Sequence, residues 1–207
     1  ANPQKAAEII EALQLDLAFK YFTARSIDKR LQGFADIKSI AKDVFEDDIK
    51  KSTSIPQKLN LALNANASVQ QPTKVTTLKQ FHKWLDDKKV LECIFKDIHA
   101  EVIRLSKSFL LFLSHSRGLR QQEIDLIWKS SVGKHEATQR LIYDLIANLI
   151  PSFQAPTINA FYECIESMSV KSLNIYTLDF IKEFAIEAAL STIKVKDKKK
   201  KPYGLDV

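Results

Sequence analysis

The chain has 207 residues, 45% apolar and 27% charged, the balance of a soluble globular protein long enough to bury a sizeable core. Four glycines and two cysteines exclude collagen-like and disulfide-scaffold classes, and leave little for tight hairpins, phosphate loops or a four-cysteine zinc site. The net charge of +6 is local: Lys194 to Lys201 holds six Lys and one Asp, +5 by itself, so the remainder is nearly neutral.

The periodicity is helical nearly throughout. Asn2-Pro3 suits a helix start, and Ile9, Ile10, Leu13, Leu17 and Tyr21 recur at three- and four-residue steps as the first apolar stripe. Ser26 suits the cap of a second helix whose stripe is Ile27, Leu31, Phe34, Ile37, Ile40, Ala41 and Val44. Gly33 lies inside that helix, where it costs about 1 kcal/mol against Ala, and a close helix–helix approach would explain it. The pattern breaks from Lys50 to Thr76, a stretch rich in Ser, Asn, Gln and Pro that reads as a flexible insert at 50–76.

Helical signal returns at Thr77 with Leu78, Phe81, Trp84 and Leu85, followed by a short segment from Val90 to Ile98. The next helix carries Val102, Leu105, Phe109, Phe112 and Leu113 and stops at Arg117-Gly118, with Gly118 suited to the position after a C-cap. A segment with Ile124, Ile127 and Trp128 runs to Gly133. Another begins near Lys134, with Leu141, Leu145 and Leu149 beside Ile142 and Ile146, and ends at Pro151. Pro156 opens a helix with Ile158, Phe161, Tyr162 and Ile165. The last helix, with Ile175, Leu178, Ile181, Phe184 and Ala188, is expected to run out before the lysines. Wide apolar stripes call for neighbours on two sides. Helix pairs stacked in a row meet that need, so the fold class is all-α, a right-handed α-solenoid of the armadillo or HEAT kind. A compact bundle is the competing arrangement.

The residues that carry chemistry are sparse. Cys93 and Cys164 fall mid-helix among apolar residues and read as buried core cysteines rather than nucleophiles. His82, His99, His115 and His135 lack the i, i+4 pairing of a helical zinc site, and His135-Glu136 lacks the second His of H-E-x-x-H. His99 and His115 suit helix ends. Glu46-Asp47-Asp48 and Asp86-Asp87 read as solvated surface. Trp84 and Trp128 read as core anchors. No catalytic residue, cofactor or metal site is expected. No run of eighteen apolar residues is present, so no membrane-spanning helix is expected either. The start, Ala1-Asn2-Pro3-Gln4-Lys5, has neither an initiating Met nor a signal peptide and reads as a cut from a longer chain.

Ile127-Trp128, followed after four residues by Gly133-Lys134-His135-Glu136-Ala137, resembles a signature of the large, fat-facets-type ubiquitin-specific proteases (ubiquitin carboxyl-terminal hydrolases). The order around it is similar too: Arg30-Leu31-Gln32-Gly33 before a variable insert, Trp84-Leu85 after it, then His99, Phe112-Leu113 and Tyr143-Asp144-Leu145-Ile146-Ala147. The resemblance covers about residues 15 to 190. It implies an armadillo-like segment N-terminal to the catalytic domain, and neither cysteine matches that domain's nucleophile box. The function it implies is a non-catalytic scaffold that holds substrate proteins or positions the catalytic domain. The partners would be ubiquitinated substrates or adaptors, with no membrane, in the cytoplasm and also the nucleus. Pro202 to Asp206 resembles the start of a following unit, which makes 1–193 the helical segment and 194–207 a basic linker and that start.

The candidate binding residues are Lys134, His135, Lys198, Lys199, Lys200 and Lys201. Gly133 to Ala137 also has a purely structural reading: Gly133 ends one helix, Glu136 favours the positive end of the next, and His135 bonds a neighbouring carbonyl. The alternatives are a free-standing armadillo or HEAT adaptor and a nucleic-acid-binding module with a basic tail, whose binding would be steeply salt-dependent.

Overall fold

The computed structural model describes residues 3–53 and 75–200, with side chains for 4–50 and 75–191. Among the described residues there are nine α-helices, two short 3-10 turns and no strand. The chain divides into two compact units, Ala1–Cys93 and Ile94–Val207.

In the first unit, α1 (Pro3–Phe22) and α2 (Ile27–Thr53) pack side by side across a four-residue turn. Gly33 is what permits the contact. A Cβ there would sit 2.3 Å from the Phe22 nitrogen and 2.5 Å from the Ala18 carbonyl oxygen. These are backbone atoms, so no rotamer change makes room. The Phe22 and Phe34 rings stack beside it, centroids 5.0 Å apart. The inner face of α2 is the one its sequence predicts, with Phe34, Ile37, Ala41 and Val44 buried. That of α1 is not. Leu15, Ala18 and Phe22 are buried, whereas Ile9, Ile10, Leu13, Leu17 and Tyr21, expected to face the core, are exposed. Because α1 is apolar on two sides, periodicity alone could not tell which side α2 would cover.

Helix α2 runs four residues into the stretch expected as an insert, ending at Thr53; residues 54–74 lie outside the described residues. The chain resumes on α1, where the Glu11 carboxylate accepts the N–H groups of Val75 and Thr76 at 3.0 and 2.7 Å. Thr77 then caps α3 (Leu78–Asp87) in a reciprocal capping box with Gln80. Trp84 on α3 is half-buried, edge-on to Phe19 of α1 at 5.9 Å. Lys88 reaches back to Asp16 of α1 at 3.0 Å. The short helix α4 (Val90–Lys96) spans the division between the units.

The second unit contains α5 (Ala100–Ser116), α6 (Gln121–Lys129), α7 (Glu136–Ala147), α8 (Ala155–Glu166) and α9 (Ile175–Lys200). Alternate helices pack together: α5 on α7, α7 on α9, and α6 on α8. Helix α7 therefore has a neighbour on each side: Ile142, Leu145 and Ile146 are buried, as is Leu149 just beyond its end, whereas Leu141 of the same stripes is half-buried. Gly118 and Gly133 take left-handed backbone conformations, φ +77° and +67°, at the turns that end α5 and precede α7. Helix α9 does not stop before the lysines but continues to Lys200, since Lys is a good helix former and the first breaker, Pro202, comes later.

The corner between α5 and α6 is held by one buried acid. Arg117 donates to Glu123 through both terminal nitrogens, at 3.0 and 2.6 Å. The Arg120 N–H and guanidinium add bonds of 2.9 and 2.8 Å. Burial works against ionisation of Glu123, but the hydrogen bonds from Arg117 and Arg120 outweigh it and hold the carboxyl below its usual range.

Two outcomes follow from these joints. Gly33→Ala is expected to destabilise the first unit by roughly 2 kcal/mol in urea unfolding, because the steric clash exceeds the gain in helix propensity. Glu123→Gln is expected to cost about 3 kcal/mol at pH 7, the scale for breaking a buried ion pair. A carboxyl whose folded pKa is depressed stabilises above its unfolded pKa of about 4.3 and loses that contribution below it. The gap between Glu123→Gln and the parent chain should therefore be constant from neutral pH down to about pH 5 and shrink at lower pH.

Candidate functional site

The exposed faces of α5, α7 and α9 form one groove on the second unit. Three adjoining depressions of about 420, 220 and 190 Å3 line it; all three share Asp144 of α7, and Arg140 borders the first and the last. Helix α5 contributes Arg104 and Lys107, and α9 contributes Tyr176, Asp179 and Glu183. Arg140 and Asp144 are four apart, which places them on one face. The groove thus runs from a basic edge on α5 to an acidic edge on α9. Along the basic edge Lys107 donates to Asn148 at 3.1 Å, and Arg104 pairs with Glu101.

A buried polar chain sets the register of α7 against α9. Asn174 donates to the Gln139 amide oxygen at 2.8 Å, and Gln139 donates to the Tyr143 hydroxyl at 3.1 Å. The Asn174 oxygen accepts from both the Thr177 N–H and hydroxyl, at 2.9 and 3.0 Å. Beneath it the Tyr143 ring stacks on Phe180 at 4.4 Å, and Trp128 lies 6.1 Å from Tyr143 and 6.2 Å from Phe180. Trp128 is buried, as expected, and serves as the shared anchor of α6, α7 and α9.

Of the expected site residues, the two whose side chains are described, Lys134 and His135, line different depressions. His135 borders the α5–α7–α9 groove, whereas Lys134 lines a separate depression of about 430 Å3 with Trp128, Val132 and Met168. His135 is the N-cap of α7: its Nδ1 accepts the Ala137 N–H at 3.3 Å, rather than bonding a carbonyl as expected. An N-terminal cap has orphan N–H groups to satisfy, so an acceptor is what the position demands. His99 caps α5 in the same way through the Glu101 N–H, and His115 falls in that helix's last turn. Lys198, Lys199 and Lys200 belong to the last turn of α9, their side chains outside those described, and Lys201 lies outside the described residues. The groove residues on α5, α7 and α9 were not singled out from sequence. Their signal is faint: exposed charged positions on every second helix.

Both cysteines are half-buried rather than fully buried, and neither is in a disulfide. Burial pushes the Cys164 thiol up, and the Asp125 and Glu163 charges push it further, against a smaller opposing effect of Lys129. A thiol so held is a poor nucleophile at neutral pH. Among the described residues no group of three or more His, Cys, Asp or Glu side chains could hold a metal ion. No helix among them is long and apolar enough to cross a membrane.

Helices that pack on the next but one, as they do in the second unit, are the organisation of an α-helical repeat protein. The sequence matches the UBP24/USP9X/USP9Y ARM repeat over residues 8–190, and the chain belongs to that family. It is 33% identical over 137 residues to ubiquitin carboxyl-terminal hydrolase 34 of Homo sapiens, covering 66% of this chain and 3% of that protein. It is 25% identical over 93 residues to ubiquitin carboxyl-terminal hydrolase 9X of Mus musculus, covering 44% of this chain and 4% of that protein. It is 24% identical over 151 residues to ubiquitin carboxyl-terminal hydrolase puf of Drosophila melanogaster, covering 72% of this chain and 3% of that protein. The chain thus spans only a few per cent of the length of these relatives.

Iodoacetamide at pH 7 should alkylate Cys164 at least several-fold more slowly than an unfolded peptide thiol, as followed by peptide mass spectrometry.

Proposed function

We propose that the chain is a non-catalytic scaffold segment of a large deubiquitinating enzyme, which holds a substrate or adaptor protein while a catalytic domain elsewhere in the polypeptide cleaves ubiquitin. The observation that carries this reading is the groove across α5, α7 and α9, within a segment of the ARM repeat family. A row of packed helices presents charged side chains at fixed spacing, because each helix is held in register by its neighbours. Such a surface suits an extended protein segment better than a small molecule: its depressions are shallow and its lining is spread over three helices. Its carboxylates, Asp144, Asp179 and Glu183, repel phosphates, which favours a protein over a nucleic acid. The compartment that goes with this reading is the cytoplasm, with the nucleus as a second.

The partner segment carries acidic groups towards Arg104 and Lys107 and basic groups towards Asp179 and Glu183. The test is made in the natural full-length polypeptide with Arg140→Glu combined with Asp144→Lys. Both side chains are exposed, so the fold should tolerate the exchange. Cleavage of a ubiquitin fused to a small fluorescent reporter should be unchanged. Release of ubiquitin from the ubiquitinated proteins that the polypeptide acts on should fall by about tenfold, the scale of one disrupted charged contact of about 1.4 kcal/mol. Equal effects on both substrates, or none on either, would contradict a holding role for the groove.

A further inference from the structure

The depression that holds Lys134 lies between the turn that joins α6 to α7 and the turn that joins α8 to α9, and it measures about 430 Å3. Asn174, Gln139 and Tyr143 line it, and the direction of every hydrogen bond among the three is fixed. A backbone N–H can only donate, so the Asn174 atom that accepts the Thr177 N–H at 2.9 Å is its oxygen. The Asn174 nitrogen is then the atom that donates to Gln139, 2.8 Å away, and the accepting Gln139 atom is its oxygen. That leaves the Gln139 nitrogen to donate to the Tyr143 hydroxyl at 3.1 Å. A hydroxyl that accepts still has its own proton to give, so the chain ends on a donor.

Other donors are spare beside it. The amide nitrogens of Gln139 and Asn174 each carry a second N–H that no protein group accepts among the described residues. The Ser169 hydroxyl accepts the Lys171 N–H at 3.3 Å and keeps its own proton. Gln139 and Tyr143 are 7% and 2% exposed. A buried donor without a partner is costly, so an acceptor that enters the depression is favoured. Lys134, exposed at the rim, is the one charged side chain among the described residues of the lining.

A cation with neutral donors and no carboxylate calls for an anion. One lysine matches a single negative charge, whereas a phosphate, close to −2 at neutral pH, calls for arginine or several cations. The rest of the wall is apolar, with Trp128, Met168 and Val132, the last 55% exposed. The depression therefore has room for a carboxylate and for an apolar group beside it.

The geometry points to a second recognition site, for an acidic peptide. Lys134 and the spare donors of the Asn174–Gln139–Tyr143 chain hold the side-chain carboxylate of an Asp or Glu, and Trp128, Met168 and Val132 cover the apolar side chain next to it. The site shares neither Arg140 nor Asp144 with the α5–α7–α9 groove, so it stands or falls separately from the holding role of that groove.

The experiment exposes the natural full-length polypeptide to an array of synthetic hexapeptides, capped at both ends, in which an Asp–Leu pair is set among varied neutral residues. Matched arrays replace the Asp by Asn or phosphoserine, or end the peptide on a free carboxylate instead. Asp peptides should bind, and their Asn counterparts should bind at least about tenfold more weakly. Lys134→Glu should remove a similar factor and Lys134→Arg should retain binding; the side chain is exposed, so the fold should tolerate both. Tyr143→Phe keeps the ring that stacks on Phe180 but removes the hydroxyl, and should weaken the same peptides several-fold. Arg140→Glu combined with Asp144→Lys should leave the array unchanged. Equal binding of Asp and Asn peptides, a preference for phosphoserine or for the free terminus, or no binding at all would overturn the inference. So would insensitivity to Lys134→Glu or Tyr143→Phe, or loss of binding in the Arg140 and Asp144 exchange, which would move the peptide to the groove.

Discussion

Helices α1, α7 and α9 carry more apolar surface than one partner can cover, and around α7 the architecture meets that constraint. Helix α7 shows it most plainly. Ile142, Ile146, Leu145 and Leu149 are buried together only because α5 and α9 approach it from two sides. A helix covered on one side would leave half of these in water, at roughly 1.5–3 kcal/mol for each large side chain. In the second unit the contacts alternate, with helices packing on the next but one, and the turns between them only have to redirect the chain. The left-handed glycines at 118 and 133 and the 3-10 turn at Ile150–Ser152 do so with few residues.

Apolar stripes are forgiving of rotation and sliding, so the register comes from a few polar joints. The Gln139–Asn174–Thr177 chain admits one placement of α9 on α7, and the Arg117–Glu123 pair one angle at the α5–α6 corner. In each, a buried polar group would be left without a partner if the helices shifted. In the first unit Gly33 has the same role by a steric route, since the contact of α2 with Ala18 and Phe22 has room for no side chain. These joints hold the charged positions of α5, α7 and α9 at constant spacing, and a surface that recognises an extended partner depends on that.

Much of this was legible in the sequence. Thr77, Gly118 and Pro156 each mark the helix boundary that their chemistry suggests. Gly33, inside an apolar helical stripe, points to the close approach that the structure shows. The side of α1 that faces inward was not legible, because Leu15, Ala18 and Phe22 are no more apolar than Leu13, Leu17 and Tyr21. Only the position of α2 distinguishes them. The end of α9 is hard to read for a different reason: charge density suggests solvation, but it does not end a helix, and α9 continues to Lys200. The groove was hidden because its residues lie on three helices far apart in sequence, and each helix alone shows nothing but an ordinary polar face. The Gly133–Ala137 run is visible in the sequence as a signature, and its histidine caps a helix.

The chain belongs to the ARM repeat family, and the proposal to test is that it serves a large deubiquitinating enzyme without supplying its nucleophile. The most direct test isolates the natural polypeptide with an antibody to this segment and treats it with a ubiquitin-based cysteine-reactive probe. Mass spectrometry then locates the adduct. The account predicts a polypeptide far longer than 207 residues that takes up the probe at a cysteine outside this segment. An adduct on Cys93 or Cys164, or a natural polypeptide inert to the probe, would contradict it.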